Sequence, residues 1–272
     1  MKREIAALKL PDLKKAVIVG APPRLAMVDP KTLYVDDSYQ RGLSERSMRL
    51  VRKIVEEWDW SAYKPPIVVE IDGRREVIDG QHTAIAAATH GGIAEIPILV
   101  TEADALAGRA NAFVRHNRDR IQVTPTQLHN AMVAAGDEDA LTIDQVCQRA
   151  GVKILRNPPQ MGKFAPGETV AITTVRSLIS RRHPIGARKV LEICVATGAA
   201  PVSADLIKAV ECLLFAEEYK GEIDPERIAP IISALGESLA NDAERFAAER
   251  KVQRWRAMAS VIFMNKRRGR NA

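Results

Sequence analysis

From Ile67 to Gly92 the sequence leaves little freedom in what it can fold into. Ile67-Val68-Val69-Glu70-Ile71 is a β-branched run, Asp72-Gly73 is a dipeptide that favours a two-residue hairpin turn, and Arg75-Glu76-Val77-Ile78 is the returning strand. That strand leads into Asp79-Gly80. From there an alanine-rich helix, Gln81-His82-Thr83-Ala84-Ile85-Ala86-Ala87, runs to a stop at His90-Gly91-Gly92. A strand that ends at a helix start aims several unpaired backbone N–H groups and the positive end of the helix dipole at one point, which suits a phosphate or a carboxylate. An ordinary strand-to-helix connection fits the same spacing.

The flanking sequence builds a domain around this junction. Leu25-Ala26-Met27-Val28 reads as a strand, Asp29-Pro30 as a turn and Tyr39-Gln40-Arg41-Gly42 as a loop. Ser44 is the N-cap of an amphipathic helix with Met48, Val51, Ile54, Val55 and Trp58 on one face. Pro65-Pro66 forbids its continuation. Ile96-Pro97-Ile98-Leu99-Val100 is a further strand, whose proline points to an edge or a first position. Residues 103–117 read as a helix with Leu106, Ala110, Phe113, Val114 and Asn117 on one side, and the amide of Asn117 in such company wants a partner. The result is an α+β domain over 24–122, preceded by an arm, 1–23, in which Ala16-Val17-Ile18-Val19 is a candidate strand.

The second half is helical. Thr124-Pro125-Thr126-Gln127 is a capping box with proline at the first helical position, and Thr142-Ile143-Asp144-Gln145 repeats the pattern. These define a helix-turn-helix-like segment over 123–156. A Pro-, Gly- and Lys-rich linker, 157–168, precedes a helical domain over 169–272 with a basic tail. Its helices are expected over 169–182, 185–197 and 203–219. Another opens at Asp224-Pro225, where Pro230 would kink or split it, and a last one spans 240–265. The fold class is therefore a small mixed sheet with flanking helices, followed by an all-helical C-terminal half.

Aromatic residues make up only 4% of the chain, so the core must be aliphatic. Forty Lys and Arg against 34 Asp and Glu give a formal charge of +6, which permits nucleic acid or nucleotide as a partner. Cys147, Cys194 and Cys212 lack metal or redox spacing and read as half-buried free thiols of a reducing cytosol. No apolar run approaches the roughly 20 residues that span a bilayer. A cytoplasmic protein without a membrane partner is expected. There is no GxSxG, no Walker loop and no HExxH, and no metal ligand is assigned.

Gln40-Arg41, Ile78-Asp79-Gly80-Gln81-His82 and Asn117-Arg118-Asp119-Arg120, in that order, resemble the motifs of the ParB/sulfiredoxin-like superfamily, also called ParB-like nuclease domains. The resemblance covers about 24–151, roughly half the chain. Each motif is short, and the specificity lies in their order. Within the superfamily, chromosome-partitioning members carry Gly-Glu-Arg-Arg, sulfiredoxins Gly-Cys-His-Arg, and a phage and mobile-element group Asp-Gly-Gln-His-Arg. This chain is similar to the last, with Thr83 in place of the arginine, which removes a bidentate phosphate ligand. Gln81 stands where sulfiredoxins have cysteine, so sulfiredoxin activity is not expected. Leu141 to Val152 looks like the first helix and turn of a ParB helix-turn-helix. Pro158-Pro159 bars an immediate recognition helix, which would then start near Thr169.

The resemblance implies a DNA-associated protein that binds a phosphate-bearing ligand, nucleotide or DNA backbone. Its candidate ligands are Gln40, Arg41, Asp79, Gly80, Gln81, His82, Thr83, Asn117, Arg118 and Arg120. Thr173, Thr174, Arg176, Arg254, Lys266, Arg267 and Arg268 are candidate DNA contacts, their plain alternative being a solvated helix face and a solubilising tail. An enzyme alternative is a metal-dependent nuclease or nucleotide triphosphatase with Gln81, His82 and Arg120 as catalytic candidates. A nucleotide with Mg is the candidate cofactor and a homodimer the candidate assembly. A third reading is a helical oligomerisation or partner-binding protein with an inert ParB-like domain.

Overall fold

The computed structural model describes residues 4–36, 42–102, 108, 112, 114 and 122–266, and the chain divides into two compact units, 1–121 and 122–272. In the first unit β1 (Arg24–Val28), β2 (Leu33–Tyr34), β3 (Ile67–Ile71), β4 (Arg74–Asp79) and β5 (Ile96–Thr101) form one mixed sheet in the order β1-β5-β3-β4-β2. The β3–β4 hairpin turns through Asp72 and Gly73 at φ 48° and 73°. Positive φ at both central residues gives the twist that antiparallel strands need. In β5, Ile96, Ile98 and Val100 are buried and alternate with half-buried Pro97, Leu99 and Thr101. β5 lies inside the sheet rather than at an edge, antiparallel to β1 and parallel to β3. Pro97 is tolerated because β3 accompanies β5 only from Leu99 onward, so at the prolyl nitrogen β1 alone flanks the strand.

Two helices of this unit are described in full. α1 (Glu45–Glu56) is capped by Ser44, whose hydroxyl accepts the Ser47 N–H at 3.2 Å. α2 (Gln81–His90) ends where Gly91 turns left-handed at φ 74°. Ala84 and Ala87 join Val28, Val68, Val77, Ile96, Ile98 and Val100 in an aliphatic core; methyl side chains let the helix lie close to the strands. β2 carried no sequence signal, being two residues paired in parallel with Arg75 and Glu76. Residues 4–23 contain no strand. Val17, Ile18 and Val19 have no ladder partner among the described residues and face solvent. The helix expected over 103–117 lies, apart from Gly108, Ala112 and Val114, outside the described residues.

The second unit consists of helices with one small parallel ladder. α3 (Pro125–Ala134) has the expected capping box: Thr124 Oγ1 accepts the Gln127 N–H and Gln127 Oε1 accepts the Thr124 N–H. α4 (Glu138–Arg149) does not start at Thr142; Asp137 caps it, accepting the Ala140 N–H at 2.8 Å. Gly136, at φ 80°, has already ended α3, so the next helix opens at once. After Gly151 the chain forms β6 (Lys153–Ile154) and later β7 (Glu168–Thr169). The stretch expected as a linker is anchored at both ends. Thr126 Oγ1 donates to Arg156 O, Gln127 Nε2 to Asn157 Oδ1, and buried Thr169 Oγ1 to Val202 O at 2.7 Å.

α5 (Ile172–Ala196) is broken where the sequence suggested. His183 adopts φ 56° and ψ 168° before Pro184, which excludes a helical residue in front of it. α6 (Ala204–Phe215) is shorter than expected, and α7 (Pro225–Leu235) runs through Pro230 without splitting. The single long terminal helix of the sequence reading is two, α8 (Ser238–Arg250) and α9 (Arg254–Met264), because Lys251 turns left-handed at φ 54°. One core joins them: Ile143 and Val146 of α4 pack in the same cluster as Leu191, Ile207, Ile231 and Ile262. Cys147 and Cys194 are buried in it, whereas Cys212 is half-buried, as expected of all three.

His129 of α3 is 1% exposed, and neither ring nitrogen has a hydrogen-bond partner among the described residues. Burial holds its pKa below the ordinary value of 6.5, with Arg176 pressing the same way against Asp144 and Asp137. A folded-state pKa that is depressed in a histidine means that the unfolded chain binds the extra proton first as pH falls. Its stabilising contribution is thus complete above the ordinary value and is lost as pH drops through the folded value. The urea midpoint is expected to fall between pH 7 and pH 5, and His129→Leu to flatten that slope; an unchanged slope in the variant would remove His129 as the cause.

Candidate functional site

The junction that organises the sequence is built as follows. β4 ends at Asp79, whose Oδ1 accepts the N–H of Gly80 at 2.9 Å. Gly80 is the N-cap of α2 at φ 90° and ψ 19°. A Cβ at this residue would lie 2.9 Å from Cα of Pro66, so only glycine fits between the helix start and the chain leading into β3. Gly80 O accepts the first helical hydrogen bond, from Ala84 N–H at 3.0 Å. Among the described residues no side chain caps the end, as at α5, α8 and α9 and in contrast to α1, α3, α4, α6 and α7. The amides of Gln81, His82 and Thr83 therefore precede the helical ladder without side-chain acceptors among the described residues, next to the positive end of the dipole. All three residues are half-buried, as are Asp79 and Gly80.

Thr83 also lines a cavity of about 270 Å³ together with Lys53, Trp58, Tyr63 and Lys64. Its walls include an aromatic cluster. Trp58 packs edge-on against Trp60, with ring centroids 5.3 Å apart, and at 5.7 Å from Tyr63. The Tyr63 hydroxyl donates to Pro97 O at 2.8 Å, and burial raises its pKa. The aromatic cluster was not anticipated as part of the site. Its signal was there in the spacing Trp58, Trp60 and Tyr63, in a chain otherwise poor in aromatic residues.

The five residues from Asp79 to Thr83 are adjacent by construction, and the structure presents them on one helix start. Gln40, Arg41, Asn117, Arg118 and Arg120, the other expected phosphate ligands, lie outside the described residues, as do Arg267 and Arg268. Thr173 and Arg176 are exposed and Thr174 half-buried on the first turn of α5. Arg254 Nε lies 3.9 Å from Asp205 Oδ2. Lys266 reaches Glu222 Oε2 at 3.3 Å and lies 4.3 Å from the Phe263 ring centroid, so a structural contact accounts for it. Among the described residues no group of three or more His, Cys, Asp or Glu is placed to hold a metal ion, and no helix is long and apolar enough to cross a membrane.

The described molecule is a two-unit α+β protein, with a glycine-capped helix start on a mixed five-stranded sheet in one unit and a helical bundle in the other. The chain belongs to a family of unknown function (DUF6551), whose model matches residues 34–263. No curated protein matches it in sequence. Among solved structures it is similar to the C-terminally truncated chromosome-partitioning protein ParB from Caulobacter crescentus complexed with CTP-gamma-S. That likeness has 14% identity and a TM-score of 0.33, over 88% of this chain and 98% of that one. It is also similar to a Pnob8-like ParB-N domain, at 14% identity and a TM-score of 0.29, over 90% of this chain and 95% of that one. At such identities and scores neither likeness speaks to what this chain binds.

Proposed function

We propose that residues 24–122 form a ParB-like module that binds a phosphate-bearing ligand, nucleotide or DNA backbone, at the Asp79-to-Thr83 helix start. The helical half from 123 onward adds DNA or partner contacts. The observation that carries this reading is the α2 N-terminus on Gly80: three amides and a dipole end with no side-chain acceptor among the described residues, in a half-buried position. The motif order Gln40-Arg41, Asp79-Gly80-Gln81-His82 and Asn117-to-Arg120 supports the same assignment. Thr173 and Arg176, exposed near the start of α5, are suitable phosphate contacts.

Binding of the whole protein to a fluorescent DNA duplex should weaken steeply as salt is raised, since each neutralised phosphate releases counterions. Affinity that is the same at low and high salt would rule the reading out. Thr83→Arg restores the side chain that the Asp-Gly-Gln-His-Arg pattern carries, beside a cavity with room for it. A charge-assisted fork of that kind should tighten binding of a nucleoside triphosphate about tenfold. Calorimetric titration of the two proteins checks it, and no gain would mean that position 83 does not face the phosphates.

A further inference from the structure

The second unit holds a cleft of about 740 Å³ flanked by α5, α6 and the start of α9. At its base is Glu211 of α6, a side chain only 8% exposed. Its carboxylate accepts from Arg181 Nε at 3.1 Å, Arg181 Nη2 at 2.7 Å and Arg182 Nε at 2.8 Å. The Arg182 guanidinium also lies 4.6 Å from the Phe215 ring centroid. Both guanidinium groups are thus held in place from one side. Among the described residues Nη1 of Arg181 and both Nη atoms of Arg182 make no hydrogen bond, and the two side chains remain 47% and 33% exposed.

A purely structural role, pinning α5 to α6 just before its break at His183, accounts for Glu211 and its two arginines. It leaves the rest of the cleft unexplained. Lys208 and Arg256 bring two more cations and form no ion pair among the described residues; the Arg256 guanidinium lies 5.2 Å from the Trp255 ring centroid, over one face of the indole. Trp255 presents an indole whose N–H donates to Gln253 Oε1, which fixes the ring. Two carboxylates line the same space: Glu217, which pairs with Lys220 at 3.2 Å, and Glu218, which accepts from Cys212 Sγ at 3.9 Å, each with acceptor capacity left over. Four cations beside a fixed indole suit an anionic group joined to an aromatic one, because pre-oriented forks lose little freedom on binding an oxyanion. The carboxylates oppose a long polyanion but accept hydroxyl donors. The size is that of a small-molecule site.

We propose that this cleft is a binding site for a nucleoside phosphate. Arg181, Arg182 and Lys208 hold the phosphate, Trp255 stacks on the base, and Glu217 and Glu218 accept from the sugar hydroxyls. The site belongs to the second unit alone and does not depend on the reading of the α2 helix start.

Cys212 lines the cleft and is half-buried, whereas Cys147 and Cys194 are buried, so it serves as a local reporter. Burial, with Glu218 beside it, raises its thiol pKa, and alkylation is best followed in mildly alkaline buffer. In the full-length protein AMP or ATP should slow alkylation of Cys212 saturably, and more than inorganic phosphate does. Lys208→Ala and Trp255→Leu should each weaken that protection about tenfold while leaving the melting temperature nearly unchanged. Gln81→Ala, in the other unit, should leave it untouched. The proposal is overturned if neither nucleotide protects at millimolar concentration, or if inorganic phosphate protects equally well. It also falls if protection survives both cleft substitutions, or if it is lost with Gln81→Ala.

Discussion

Gly80→Ala is expected to destabilise the first unit by about 3 kcal/mol and to abolish ligand binding at the α2 start. Two costs add. A left-handed conformation, here φ 90°, costs an L-residue with a Cβ about 1 to 2 kcal/mol. The new methyl carbon would then stand 2.9 Å from Cα of Pro66, a backbone atom that cannot rotate away, so the helix start or the chain leading into β3 must shift. A shift of a few tenths of an ångström moves the three amides that the proposed phosphate would meet. Gly91→Ala, at the other end of the same helix, is the matched control. Its φ is 74° but nothing lies within 4 Å of the added carbon, so only the conformational term of about 1 kcal/mol applies. Urea denaturation of both variants, with DNA and nucleotide titrations, makes the comparison. A Gly80 variant no less stable than the Gly91 variant would show that Pro66 gives way.

Glu211→Ala is expected to lower stability by about 2 to 3 kcal/mol, at the low end of what breaking a buried ion pair costs. The discount follows from the arginines, which reach solvent along part of their length and can rehydrate when the carboxylate is gone. Burial by itself would raise the Glu211 pKa, but the hydrogen bonds from Arg181 and Arg182 outweigh it and leave the pKa below the ordinary 4.5. A depressed carboxylate adds stability at pH values above its unfolded pKa, and that share disappears as pH falls through the folded value. The difference between native protein and Glu211→Ala in thermal melts should therefore be large at pH 7 and shrink towards pH 3. A gap that is constant across that range would point to lost packing and not to charge.

Much of the first unit was legible because local chemistry and tertiary context agree there. The hairpin follows from Asp72-Gly73 between β-branched runs, and α2 from its alanines and the glycines that bracket it. β2 was not legible, since two residues have no periodicity to read. The capping pattern at Thr142 fits the rule as well as Asp137 does; what decides is Gly136, which ends α3 and leaves Asp137 free to cap. The break at Lys251 has no glycine or proline to announce it, so packing of α8 and α9 into the shared core sets it. The glycine-led helix start could be found from its motif. The cleft of the second unit could not, although Glu211 amid the apolar residues of α6 was the same kind of signal as Asn117 in the first unit.

The strand order carries a cost in time during synthesis. Residue 24 pairs with residue 100 across the β1–β5 ladder, and at ordinary translation speeds the ribosome needs roughly 4 to 15 seconds to cover that distance. The β3–β4 hairpin closes in microseconds once its residues have emerged. Throughout that interval β1 waits as an unpaired edge, with the apolar run Val17-Ile18-Val19 just ahead of it. The nascent chain is most open to wrong strand pairing while it is waiting for its fifth strand.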